Sequence, residues 1–145
     1  MSEQQNYSNH AKFFPPFHFV AAPIFLFYLG WCIYRWIHLG THAETVVNTV
    51  VAVGLLVGLL SSRMMALAVQ DRVIRLEERL RMERLLPADL KARIGELTTS
   101  QFVALRFASD AELPALTRKV LDEKLDNRKA IKQLVQSWRP DYLRA

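Results

Sequence analysis

Between residues 13 and 62 the chain carries only two formal charges, Arg35 and Glu44. A stretch that long and that poor in charge is too apolar for the surface of a small soluble domain, and it falls into two runs of bilayer length. The first runs from Phe17 to Trp36; as a helix, about 20 residues at ~1.5 Å each give ~30 Å, one hydrocarbon thickness. The second begins near Thr45 or Val46 and stays free of charge until Arg63, which marks its exit from lipid. The segment His38–Glu44 between them is short enough to be only a tight turn, with Thr41 or Thr45 available to cap the second helix. The expectation is a two-helix membrane hairpin.

Side chains near the ends of the runs suit that reading. Trp31, Tyr34 and Trp36 cluster towards the far end of the first span as interface anchors, and Arg35 can reach outward beside them. Pro15 and Pro16 fit the first turn of a helix, whereas Pro23 lies inside the span and should bend it. Gly54 and Gly58 form a GxxxG pattern that lets two helices approach closely. The simplest use is packing of the first span on the second; a seam between two copies is the alternative. Arg63, Arg72, Arg75, Arg79, Arg81 and Arg84 follow the second span and Lys12 precedes the first, while the connecting side has Arg35 alone. The positive-inside rule then places both termini in the cytoplasm. The aromatic first run leads into Tyr34-Arg35-Trp36 rather than a small-residue cleavage site, so it reads as an uncleaved anchor.

Beyond the spans the composition inverts. Residues 71–145 hold 16 Lys/Arg and 12 Asp/Glu, well mixed in sign. Such a balance does not resemble a nucleic-acid groove. No helix breaker separates Val46 from Leu86, so the second helix should continue unbroken out of the bilayer. In that part Val69, Val73, Leu76 and Leu80 repeat at 4-3-4 spacing, with Asp71→Arg75 and Glu77→Arg81 as i,i+4 ion pairs. The stripe is expected to pack against the rest of the tail, with a partner helix as the other reading.

Pro87 closes the long helix. Short amphipathic helices follow: one stopping at Gly95, one capped by Thr98 or Thr99, one opened by the capping box Ser109-Asp110-Ala111-Glu112, and one capped by Asp126 or Asn127 and ended by Pro140. The last has Ile131, Leu134, Val135 and Trp138 on its inner face. Four such helices make a marginal core alone. The closing Trp138, Arg139 and Tyr142 fit either a strap over that core or a docking peptide, since Trp, Tyr and Arg anchor interfaces. The fold class is therefore all-α, with segments 1–16, 17–69 and 70–145 as N-terminal segment, membrane hairpin and cytoplasmic helical tail.

Chemistry is sparse. The lone Cys32 excludes an intrachain disulfide, and no metal-ligand spacing, phosphate loop or nucleophile–base constellation is present, so neither catalytic nor metal residues are assigned. His18 and His38 are the only candidates for cofactor ligation, each able to hold a haem or chlorophyll axially; a histidine at an interface is otherwise just an amphipathic side chain. No cofactor is expected. The composition points to a non-enzymatic accessory or scaffolding subunit. Its partners would be the lipid bilayer and another membrane protein or a second copy, without nucleic acid or small-molecule substrate. The alternatives are a cofactor-binding subunit of a redox or photosynthetic complex, and a membrane-surface regulatory or lipid-sensing protein.

Four stretches carry a resemblance: Gln5–His10, Gln70–Arg79, Ala104–Asp110 and Trp138–Tyr142. With them the chain resembles a family of small bacterial two-span membrane proteins known only as a domain of unknown function, number 6526. The resemblance implies a membrane hairpin with a cytoplasmic helical tail and brings no activity or site residue with it.

Overall fold

The structure is a computed structural model and describes Asn6, Tyr7 and residues 14–141. Among the described residues the chain is all-helical apart from turns and one isolated β-bridge, Ala108 to Trp138. It divides into two compact units, one ending at Leu67 and the other beginning at Ala68.

The first unit holds a helical hairpin. A π-helical turn, Pro16–Ala21, leads into α1, Ala22–Leu39. The wider register follows from Pro23, which has no N–H to donate; the Ala22 N–H instead reaches back to the Phe17 carbonyl, and the proline sits in the first turn of α1. The expected bend is thus taken up as a π turn. Gly40 ends α1 at φ +86°, a left-handed conformation that favours glycine, with its N–H on the Trp36 carbonyl. Helix α2, Ala43–Leu85, then begins and runs without interruption for 43 residues.

The turn is held by side chains. Thr45 Oγ1 accepts from the His42 N–H and lies within reach of the Gly40 and His42 carbonyls as a donor. The Trp36 indole donates to Thr41 Oγ1 at 3.0 Å, and Arg35 pairs with Glu44 at 3.1 Å. At the other end of the hairpin the Arg63 guanidinium lies over the Phe17 ring, 5.7 Å from its centroid. Cys32, Thr45, Thr49 and Ala52 are the buried residues of this unit. The Thr49 hydroxyl is satisfied within its own helix by the Thr45 carbonyl at 2.8 Å, so this buried face presents no unpaired hydroxyl.

Two helices, Pro16–Leu39 and Ala43–Leu85, are long and apolar enough to cross a membrane. Only 6% of the most apolar window of either is buried. A core helix of a soluble protein would be mostly covered, and these instead present broad apolar surfaces.

The second unit is a small helical module closed on the end of α2. Helices α3 (Ala88–Lys91), α4 (Thr99–Leu105), α5 (Leu113–Asp122) and α6 (Arg128–Gln133) follow, with a 3₁₀ turn at Ile94–Glu96. Thr98 caps α4 through a full capping box with Gln101, and Asn127 caps α6 by accepting from the Lys129 and Ala130 N–H groups. The core joins Met82 and Leu86 to Leu90, Ile94, Leu97, Phe102, Leu105, Leu113, Leu116, Val120 and Ile131. Each fully buried side chain of this size contributes roughly 1.5–3 kcal/mol. Helix α2 thereby supplies apolar surface that the short helices lack.

Candidate interaction surface

The face of α2 that meets the module is not the expected stripe. Ile74, Glu78, Arg81 and Met82 are buried, whereas Val69, Val73, Leu76 and Leu80 stand between 48% and 61% exposed. At about 100° per residue, Leu76 and Leu80 point some 160° away from Ile74 and Glu78. The expectation that the stripe packs on the tail is thus corrected. A polar pair won the inward position because it finds partners there.

That pair belongs to a cluster of arginines and carboxylates. Arg81 donates to Asp110 from Nε at 2.8 Å and Nη2 at 2.6 Å, to Glu78 Oε2 at 2.9 Å and to the Ala108 carbonyl at 2.7 Å. Glu78 also receives Arg139, and the buried Arg106 pairs with Asp141 and lies over the Phe107 ring at 4.5 Å. Arg81 and Glu78 are both buried, so breaking their pair is costly, whereas Asp110 and Arg139 reach them from the exposed side. The i,i+4 pairs expected along α2 are replaced: Asp71 goes to Arg128 at 3.0 Å, and Arg81 leaves Glu77 for Glu78 and Asp110. Beside the cluster an open groove of ≈ 590 Å³ is bordered by Leu80, Arg84, Arg139 and Pro140.

The C-terminal segment is strapped across this region. The Arg139 N–H donates to the Phe107 carbonyl at 2.7 Å and the Ser109 N–H to the Ser137 carbonyl at 2.9 Å. The Trp138 ring stacks on Phe107 with centroids 4.6 Å apart. Helix α6 ends at Gln133, so Trp138 lies in the bridge rather than on the helix. The capping box expected at Ser109 is only half formed: Ser109 Oγ accepts from the Glu112 N–H, while the Glu112 carboxylate takes the Gln136 and Ser137 N–H groups. Trp138 and Arg139 are thereby engaged within the chain; Tyr142 lies outside the described residues, as does Lys12.

The remaining candidates are dispersed. An added Cβ on Gly54 or Gly58 would meet nothing within 4 Å, so the pair does not seat the first span, correcting that expectation. Trp31 and Tyr34 stack at 5.6 Å on the exposed side of α1, and His38 lies against Tyr34 at 4.3 Å. His18 Nδ1 lies 3.1 Å from the Phe14 N–H and 3.0 Å from the Phe14 carbonyl, and the ring meets Phe17 edge-on. Among the described residues no group of three or more His, Cys, Asp or Glu side chains is placed to hold a metal. Outside the cluster, Arg118 donates to Asp89 Oδ2 at 2.6 Å and holds that carboxyl below the usual aspartate range; Glu96 and Asp122 raise Arg93 above its usual range.

A family of unknown function, DUF6526, matches residues 1–145. The chain belongs to this family. No curated protein and no solved structure gives a significant match. The family brings no activity, and the functional reading rests on the surface just described.

Sequence reasoning found the exposed stripe and misjudged its direction; it read Glu77-Glu78 as solvated surface acids, whereas Glu78 is buried, and it gave Arg106 no role. The usable signal was the polar run Glu77-Glu78-Arg79 within α2, which sits among apolar residues of two different phases. The Thr98–Gln101 capping box was equally readable, as a Thr three residues before a Gln.

Proposed function

We propose that this chain is a non-enzymatic membrane-anchored interaction subunit of a bacterial inner membrane. In this reading α1 and the first part of α2 are the anchor, both termini are cytoplasmic, and the module from Ala68 onward presents a docking surface. One observation carries it: Val69, Val73, Leu76 and Leu80 stay exposed on α2, uncovered by the module, and in this reading they lie past Arg63, where the helix has left the lipid. An apolar stripe in water is a recurrent mark of a surface that meets another protein. The arginine–carboxylate cluster supports the same reading, because it fixes α2 against the module and thereby the direction in which the stripe points.

Purification of the full chain in mild detergent tests this. A specific companion or a defined oligomer is expected, reduced when Leu76 and Leu80 are changed to Ser. A strictly monomeric, companion-free protein overturns the reading. A reporter fused after the last residue is expected to be active only in the cytoplasm, and activity outside it overturns the orientation.

A further inference from the structure

We infer that the stripe on α2 takes a second copy of this chain, paired in parallel and in register; the inference rests on the reading of the stripe as a docking surface and names its partner. The 4-3-4 spacing sets Val69 and Leu76 at d positions and Val73 and Leu80 at a positions of a heptad, all four exposed. In the centre of the stripe Val73 at a is followed by Leu76 at d, the combination that favours two parallel strands; the outer residues, Val69 at d and Leu80 at a, stand the other way round.

Charge complementarity selects a second copy over another helix. In this register Arg72 is a g position and Glu77 the following e position, and both are exposed. In a parallel pair g meets the e position five residues on, so Arg72 would meet Glu77 of the partner subunit, twice by symmetry. Among the described residues neither of the two is in an ion pair, and Arg81, the i,i+4 neighbour of Glu77, is taken by Glu78 and Asp110. The next g–e couple sets Arg79 against Arg84 of the partner subunit, but Arg79 already holds Glu83 at 3.3 Å, which offsets that repulsion. An antiparallel pair would bring Arg72 towards Arg79 of the partner subunit and lose the match. Two heptads are marginal for free helices in water. Anchoring both copies in one bilayer in the same orientation fixes the parallel direction and raises their effective concentration.

Disulfide trapping in membranes tests this on the full chain, with Cys32→Ala as background. Leu76→Cys is expected to give an oxidised dimer severalfold more readily than Lys119→Cys, an exposed position on α5. Each reversal, Arg72→Glu or Glu77→Arg, converts two attractive pairs into two repulsive ones and should lower the trapped dimer by about tenfold. The double reversal should restore it to within about twofold of the unreversed protein. Trapping at Leu76→Cys no greater than at Lys119→Cys overturns the proposal, as does trapping indifferent to the reversals. Trapping of a different protein at Leu76→Cys overturns the second copy while leaving the docking surface standing. No trapped species, together with a companion-free wild type, overturns both.

Discussion

Arg81 on α2 and Asp110 ahead of α5 are joined by two hydrogen bonds to one carboxylate oxygen, from Nε at 2.8 Å and from Nη2 at 2.6 Å. Twenty-nine residues separate them in the chain. Their meeting fastens the long helix to the module and buries Glu78 beside the guanidinium.

Removal of Arg81 should therefore cost far more than removal of a surface arginine. Arg81→Ala leaves the buried Glu78 carboxylate with only the half-exposed Arg139 at 3.3 Å, and breaking a buried pair costs up to roughly 3–5 kcal/mol. Arg118→Ala, which breaks a solvent-screened pair with Asp89, should cost far less. Urea denaturation of the module's helices in the full detergent-solubilised chain compares the two. Equal losses would show that the cluster is solvated rather than buried.

Lys124 has φ +50° where α5 ends, and the Leu125 N–H closes on the Val120 carbonyl at 3.0 Å. This is the hydrogen bond of a Schellman motif, whose left-handed position suits glycine. Lys124→Gly should raise stability by about 1 kcal/mol, read as a higher denaturation midpoint. A lower midpoint would mean that the lysine side chain contributes more than the backbone strain costs.

Thr117 is fully buried in α5, and its hydroxyl has no hydrogen-bond partner. The near-isosteric Thr117→Val removes an unsatisfied polar atom and keeps the volume. A gain of about 1 kcal/mol is expected in the same denaturation experiment. A loss of similar size would reveal a partner for the hydroxyl in solution.

Helices were legible where a local rule decided them. Pro87, Thr98, Asn127 and the long uncharged runs each act within a few residues, and α2, α3, α4 and α6 begin or end close to these signals. The facing of α2 was not legible, because two phases compete on one helix. Apolar content favours Val69, Val73, Leu76 and Leu80, while the buried face carries Glu78 and Arg81, whose desolvation is compensated by each other and by Asp110, Arg139 and the Arg106 and Ala108 carbonyls. The partners outside α2 lie more than two dozen residues away, beyond any periodicity. Arg35 and Glu44 show the same limit on a smaller scale: the opposite charges were visible, and only the turn at Gly40 brings them to 3.1 Å.

Asp89 offers a pH-dependent test of the contact between α3 and α5. The Arg118 guanidinium, at 2.6 Å, lowers the folded-state pKa of this carboxyl beneath its ordinary value of about 3.9. A depressed pKa means that the unfolded chain takes up the proton first. The stabilisation is therefore fully present above the ordinary aspartate value and is lost as pH falls through the folded value. A carbon-detected NMR titration of Asp89 should show its midpoint below the ordinary value in the wild type and close to it in Arg118→Ala. The stability difference between these two proteins should be constant above about pH 5 and shrink below about pH 4. Because both groups are exposed, salt should reduce the difference as well. A midpoint unmoved by Arg118→Ala would mean that the pair does not persist in solution, and that the apolar contact of Leu90 and Leu116 with the common core holds α3 to α5 by itself.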